Sequence, residues 1–335
     1  MRIAIVSDIH ANATAFEAVL AHAKAIGYDQ MVCLGDVIGY GPDPVECIDL
    51  VRHHCEWALL GNHDFASIYE PTNFNSVARD AAFWTREEAF EGGWLKRRLA
   101  ALEAACAAGE LTPEAFAEAR DAELRADRAR DDFMHSIYPR RTLLGRYVCV
   151  HASPSRPVNE YLFSADVMQG ERKLKRNFDL LQLPARDEAG NAILDADGRP
   201  AMRRASAIVG HTHCPGFILE VDHDRLADSD AGPTEIRYEW EPFDVGVSEW
   251  SPGEAELPPS QRFILNPGSV GQPRDGDPRS SYVMLEAGEG GAADRFTFHR
   301  VEYDIRETQR RLCALQEAGE TRIHDWLWER LEKGQ

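Results

Sequence analysis

Apolar positions along the chain fall into short runs divided by polar loops and amphipathic stretches. Six runs, at residues 3–7, 31–34, 57–60, 147–150, 207–209 and 263–265, read as short buried strands. After the first, Thr14-Ala15-Phe16-Glu17 has capping-box form, and Phe16, Val19, Leu20 and Ala23 follow at helical spacing. The second strand, ending at Asp36, leads through Gly39, Gly41, Pro42 and Pro44 into a helix over about 45–53, and a third strand then reaches Asn62. This alternation predicts a mainly parallel sheet with helical layers.

The alternation stops between Phe65 and Pro139. Residues 75–108 are rich in Ala, Arg, Glu and Trp, and Thr112-Pro113-Glu114 starts a further long helix with an N-cap and a proline in the first turn. The stretch is a helical insertion, and most of its charges suit a solvated helical hairpin. It leaves the scaffold directly after Asn62-His63-Asp64, which makes it a candidate lid. A second, polar insertion covers 164–205, with Asp197-Gly198 at the tip of a small hairpin, and a third, irregular excursion or hairpin covers 222–261. Strands at 281–286 and 295–302, a helix from Asp304 and another over 322–332 complete a single domain spanning 1–335. There is no internal repeat or heptad run.

Each predicted strand ends in residues that seek metal: Asp8 with His10, Asp36, Asn62 with His63, His151, His211 with His213, and Asn266. In open α/β sheets the crevice beyond the strand carboxyl ends binds ligands, and hard oxygen and imidazole donors repeated there have the composition of a dinuclear metal site. Asp8 and His10 stand at i and i+2, on one side of an extended chain, so both reach one ion. Asp36 has two carboxylate oxygens and can bridge two cations. Asn62 offers a neutral amide oxygen, and His63 beside it can act as a proton donor. Individually these are ordinary strand-end or turn residues; together they point to a metal-dependent hydrolase. His22, His53, His54, His135, His223, His299 and His324 lack such spacing and read as ordinary surface or partly buried residues, and Cys214 is left out of a hard-donor set.

Composition narrows the field. Seven cysteines without a CxxC pair argue against a disulfide framework and for a reducing compartment. With no leader and no apolar run near the roughly 20 residues of a membrane span, the expected location is cytoplasmic. The formal net charge of −19 disfavours long nucleic acid, whose affinity comes from Lys and Arg neutralising phosphates. A small phosphorylated substrate is less affected, because salt screens surface fields within about 8 Å.

Asp-x-His, Gly-Asp, Gly-Asn-His-Asp, a later His and Gly-His-x-His, in this order, resemble the calcineurin-like metallophosphoesterase superfamily. Asp8-Ile9-His10-Ala11-Asn12, Gly39-Tyr40-Gly41-Pro42-Asp43-Pro44 and Asn266-Pro267-Gly268-Ser269-Val270-Gly271-Gln272-Pro273-Arg274 resemble its small bacterial phosphodiesterase branch. The resemblance covers about 1–65, 145–165 and 205–305. It implies a four-layer αββα sandwich of two mixed sheets, and hydrolysis of a phosphomonoester or phosphodiester by a hydroxide bridging two metal ions, most suitably manganese, with iron or zinc as alternatives. By resemblance, Asp8, His10 and His213 hold the first ion, Asp36 bridges, and Asn62, His151 and His211 hold the second. His63 is the proton donor with Asp64 as an orienting partner, while Asn12, Asn266 and Arg274 approach substrate or shape the rim. Ala11 stands where the family commonly has glycine. The arginine-bearing GDxxDRG and GNHE forms of the Ser/Thr protein phosphatases are absent, which counts against that activity. A nuclease, a dinucleoside polyphosphate hydrolase and a noncatalytic assembly scaffold remain as alternatives.

Overall fold

A computed structural model describes residues 1–187, 190–222, 236–242, 254–256, 261–289, 292–317 and 324–335. Two six-stranded mixed sheets form its centre. The first runs β11 (Glu254–Glu256), β14 (Arg295–Val301), β13 (Ser280–Glu286), β1 (Arg2–Val6), β2 (Gln30–Cys33) and β3 (Trp57–Ala58). The second runs β10 (Ile236–Pro242), β9 (Gly216–Asp222), β12 (Arg262–Asn266), β8 (Ser206–Ile208), β5 (Tyr147–Val150) and β4 (Arg140–Leu143). A separate ribbon pairs β6 (Gln182–Pro184) with β7 (Met202–Arg204).

Period-two alternation explains the layering. Along β1, Ile3 and Ile5 enter an apolar layer shared with Val32, Leu265 and Phe296, while Ala4 and Val6 face a different layer with Phe16, Val19 and Ile48. In the second sheet, Cys149 and Leu265 point to the shared layer, and Val148, Val150 and Ile264 pack outward with Leu174 and Phe178. Both sheets are therefore apolar on two faces. Between them Phe217 and Phe263 meet edge to face at 5.3 Å, and Phe296 stands 5.4 Å from Phe263. Each such burial stabilises by about 1.5–3 kcal/mol. The outer faces are covered by α1 (Ala13–Ile26) and α2 (Pro44–His54) on one side and by α7 (Asp166–Gln169) and α8 (Glu171–Asp179) on the other. The result is the expected αββα sandwich.

Several local readings change in the folded chain. The third strand is only two residues long, with Leu59 reaching Tyr138 through an isolated bridge. Helix α1 does not use the Thr14 capping box: Asn12, two residues earlier, accepts from Ala15 N at 3.1 Å and starts the helix. At the other expected cap, Thr112 Oγ1 accepts from Ala115 N at 3.2 Å. The expected helix over 322–332 appears as α10 (His324–Lys333), following α9 (Ile305–Glu317), with 322 and 323 outside the described residues. The excursion at 222–261 includes β10, which pairs antiparallel with β9, and β11; most of the rest lies outside the described residues.

The helical insertion is only partly a solvated hairpin. It comprises α3 (Asn62–Ile68), α4 (Ser76–Ala89), α5 (Gly93–Ala107) and α6 (Pro113–Ser136). No residue of α5 is buried, and α6 buries only Arg130 and Met134. Yet Ala89 and Met134 join the core over α2, and Arg130 pairs with Asp49 at 2.8 Å with its guanidinium 4.6 Å above Trp94. Arg86 of α4 donates to the Ala66, Ser67 and Tyr69 carbonyls and so ties down the end of α3. Met134→Ala should accordingly cost about 2–5 kcal/mol in denaturant unfolding. A loss below about 0.5 kcal/mol, the usual range for surface changes, would show that the base of α6 is not docked.

Candidate metal centre

Strands β1, β2 and β3 run parallel, as do β5, β8 and β12, so six strand carboxyl ends open onto one crevice. The loops beyond them interlock through backbone bonds. His10 N donates to Asp36 O and Ala11 N to Val37 O, each at 3.0 Å; Gly271 N donates to Asp8 O at 3.0 Å and Gly210 N to His151 O at 2.7 Å.

The site residues do not leave their strands in extended form. Asp8, His10, Asp36, His211 and His213 all have positive φ, between 51° and 68°, as do Ala11 and Tyr40. Asp8 and His10 converge not along an extended chain, as their i, i+2 spacing predicts, but because both sit in left-handed turns. Each such residue costs roughly 1–2 kcal/mol, which the interlocked backbone must hold. Ala11, at φ 51°, occupies a conformation suited to glycine. Gly35 is needed outright, since it has φ 105° and an added Cβ would lie 2.8 Å from Gly61 N.

Seven predicted residues gather in this crevice, nearly all fully buried. Three sets of donor atoms lie close enough to hold an ion: Asp8, His10 and His213; His10, Asp36 and His63; and Asp36, His151 and His211. Asp8 Oδ1 is 3.2 Å from His213 Nε2, and Asp36 Oδ2 is 3.4 Å from His151 Nε2 and 3.6 Å from His10 Nε2. Asn62 Oδ1 lies 3.2 Å from His151 Nε2. His151 Nδ1 and His213 Nδ1 face the Leu34 and Gln272 carbonyls at 3.0 and 2.5 Å. Those contacts place the Nδ1 protons on carbonyls and turn both Nε2 atoms inward, as metal-binding imidazoles require.

Electrostatics fit a cation. Burial pushes both carboxyls up, yet His213 and His151 beside Asp8, and His151, His63 and His10 beside Asp36, hold both well below the ordinary range. Burial depresses His10 and His211, and takes His63 down to about 4. Only His151 goes the other way: burial lowers it, but Asp36, Asp8 and Asp64 together outweigh burial and lift it to about 9. His10 Nε2 and His213 Nε2 face each other at 3.0 Å, and His211 Nε2 is buried without a hydrogen-bond partner among the described residues. Two buried carboxylates ringed by inward-turned imidazoles, some lacking partners, suit divalent ions.

Other predicted residues have different duties. Asp64 does not orient His63. Its carboxylate accepts from the Asp36, Ile38 and Gly61 amides at 2.8, 3.2 and 2.9 Å, clamping the loop that carries Asp36, while His63 Nδ1 has no hydrogen-bond partner among the described residues. Burial and the nearby Asp36 charge lift the Asp64 carboxyl to about 7. Asn12 caps α1 and donates to Gly271 O at 3.0 Å, so its polar atoms are committed to the scaffold. Asn266 Nδ2 donates to Gly210 O and Thr212 Oγ1, both at 2.7 Å, shaping the turn that holds His211 and His213. The backbone N–H of Arg274 donates to His213 O at 3.3 Å, which places this residue beside the first predicted ligand set. Tyr40 and Tyr161 were not expected. Tyr40 packs 4.3 Å from the His63 ring, and Tyr161 stacks on His211 at 3.9 Å. Tyr40 belongs to the Gly39-Tyr40-Gly41-Pro42-Asp43-Pro44 motif, whereas no sequence spacing marks Tyr161. Of the histidines set aside, His22 bonds Tyr282 OH at 2.9 Å, away from this centre.

A sandwich whose strand ends carry a buried Asp, Asn and His cluster defines a metallophosphoesterase. A model of the calcineurin-like phosphoesterase family matches residues 1–215, and the chain belongs to that family. It is a phosphoesterase of the hydrolase class, in a family that depends on divalent metal. A metallophosphoesterase of Sphaerobacter thermophilus is 32% identical, with TM-score 0.59, over 100% of this chain and 99% of that one. An uncharacterized protein of Methanocaldococcus jannaschii is 25% identical over 99% of this chain and 98% of its own length. A hypothetical protein of Pyrococcus horikoshii, 13% identical with TM-score 0.53 over 97% and 96%, shares the fold. Among the described residues no helix is long and apolar enough to cross a membrane.

Because His151 must give up its Nε2 proton to ligate, metal loading at about pH 7.5 should release protons, and affinity should fall as the pH drops below about 9. Calorimetry in buffers of differing ionisation enthalpy measures the release. Loading with no net proton transfer would contradict the assignment of His151.

Proposed function

We infer that the chain hydrolyses a small phosphoric ester, monoester or diester, using two divalent cations. One observation carries the reading: buried Asp8 and Asp36 are surrounded by imidazoles that share Asp36 and His10 between neighbouring sets. In this reading Asp8, His10 and His213 hold one ion, Asn62, His151 and His211 hold the other, and Asp36 serves both. The donor set has no thiolate, which favours manganese, with iron or zinc as alternatives. When bound, the ions polarise phosphoryl oxygens and lower the pKa of water to provide the nucleophile.

The chain's own residues supply position and protons. His63 lies at the edge of the centre, its ring 4.9 Å from His10 and 4.8 Å from Phe74. Burial leaves it neutral at pH 7, and the negative charge of an entering phosphate raises its proton affinity where the leaving oxygen departs. Asp64 acts on chemistry only through the loop it clamps. Since α9 and α10 pack beside Tyr40, the whole of 1–335 works as one unit in this reading. Seven cysteines, none of them in a disulfide, suit a reducing compartment and a cytoplasmic location. Long nucleic acid remains a poor partner for a chain of charge −19.

Asp36→Asn should weaken binding of both ions by at least about tenfold, since one substitution removes charge from two sites. Elemental analysis after dialysis reads this directly, and two ions held at wild-type affinity would rule out the shared role. His63→Gln should keep its metals and lose about 10² to 10⁴ in rate on esters with high-pKa leaving groups. The loss should be small for p-nitrophenolate, which departs without a proton. Metal depletion, or an equal loss across a leaving-group series, would instead make His63 a ligand or a structural residue.

A further inference from the structure

The wall of the centre beside His213 carries two guanidiniums that have no acidic partner among the described residues. Arg274 Nη2 donates to Gln272 Oε1 at 3.0 Å, joining a guanidinium to an amide whose own backbone carbonyl holds His213. Arg330 arrives from α10, one turn beyond Trp326, with its guanidinium 4.5 Å above that indole. Trp326 stacks on Tyr40 at 5.0 Å, and Tyr40 packs 4.3 Å from His63. A continuous column thus links Arg330 to the proposed proton donor.

Most arginines near this face have acidic partners. Arg311 pairs with Asp43 at 2.8 Å, and Arg300 pairs with Asp275. Among the described residues Arg274 and Arg330 have none, in a chain of net charge −19. Arg274 Nε, Arg330 Nε and Gln272 Nε2 are all buried donors without a hydrogen-bond partner, and Gln272 is 1% exposed. An unsatisfied buried donor costs about 1–3 kcal/mol, more when charged, so three together call for an acceptor. Burial, with the Arg274 charge adding to it, holds the Arg330 guanidinium below its ordinary value.

We propose that Arg274, Gln272 and Arg330 form an anion subsite on the His63 side of the metal centre, which receives a second phosphate carried by the leaving part of the substrate. This deepens the phosphoesterase reading and rests on it. The favoured substrate class is a polyphosphorylated ester or anhydride, in which the scissile phosphorus sits at the metals and a neighbouring phosphate reaches the arginines. Bidentate guanidinium contacts to phosphate are strong and geometrically selective. The subsite depends on α10, which lies beyond the 1–215 family match.

Titration calorimetry on the full-length, manganese-loaded protein tests this with inorganic pyrophosphate and inorganic phosphate as probes. One pyrophosphate should bind per chain, about tenfold or more tighter than phosphate. Arg330→Met keeps the side-chain stem over Trp326 and should retain metal content while losing that preference, and Arg330→Lys should recover part of it. Two phosphates binding independently with no advantage for pyrophosphate would indicate a separate anion site and overturn the proposal, as would an Arg330→Met variant with the full preference. Hydrolysis of p-nitrophenyl phosphate by the wild type needs no second phosphate and reports on the underlying phosphoesterase reading separately. Its absence would sink that reading while the binding comparison still decided the subsite.

Discussion

Two carboxylates, Asp8 and Asp36, sit buried at the junction of two sheets, and among the described residues no lysine or arginine pairs with either. Isolated buried charges are costly, several kcal/mol each even after relaxation, and proteins tolerate them only when paired. Here the compensation comes from imidazoles, and above all from His151, whose proton affinity rises because Asp36 lies beside it. A proton on His151 is a single charge set against two carboxylates. Divalent cations would satisfy the same geometry more fully, and would give partners to the imidazole nitrogens that now face one another.

That constraint organises the rest of the crevice. Strands from both sheets end at the same place, so their loops must turn sharply inward, and non-glycine residues accept left-handed backbone there. Asp64, Asn12 and Asn266 spend their side chains on backbone groups of neighbouring loops, which keeps those turns in place. The outer helices and the two apolar faces of each sheet supply the rigidity behind them. The helical insertion also contributes, since Arg86 secures α3, whose first residues are Asn62 and His63.

Much of this was legible in the sequence because strand runs and their terminal residues are local features. Apolar runs placed β1, β2, β5, β8 and β12 closely, and the donor residues after them do converge. What was not legible depends on distant partners. The Asp64 carboxylate meets two amides of the distant loop after β2, and no local pattern distinguishes that from a bond to the adjacent His63. The Thr14 capping box lost to Asn12, which is also held by Gly271 and Thr308 from the far end of the chain. Tyr40, Trp326 and Arg330 join one column although nearly the whole sequence separates them, and the insertion looked solvated because its few docking residues, such as Met134, are scattered among charges.

Anomalous diffraction from manganese-soaked crystals tests the central claim most directly. The account predicts two peaks in the crevice, one among Asp8, His10 and His213 and one among Asn62, His151 and His211, both within coordination distance of Asp36. A single peak, or two peaks that do not share Asp36, would contradict it.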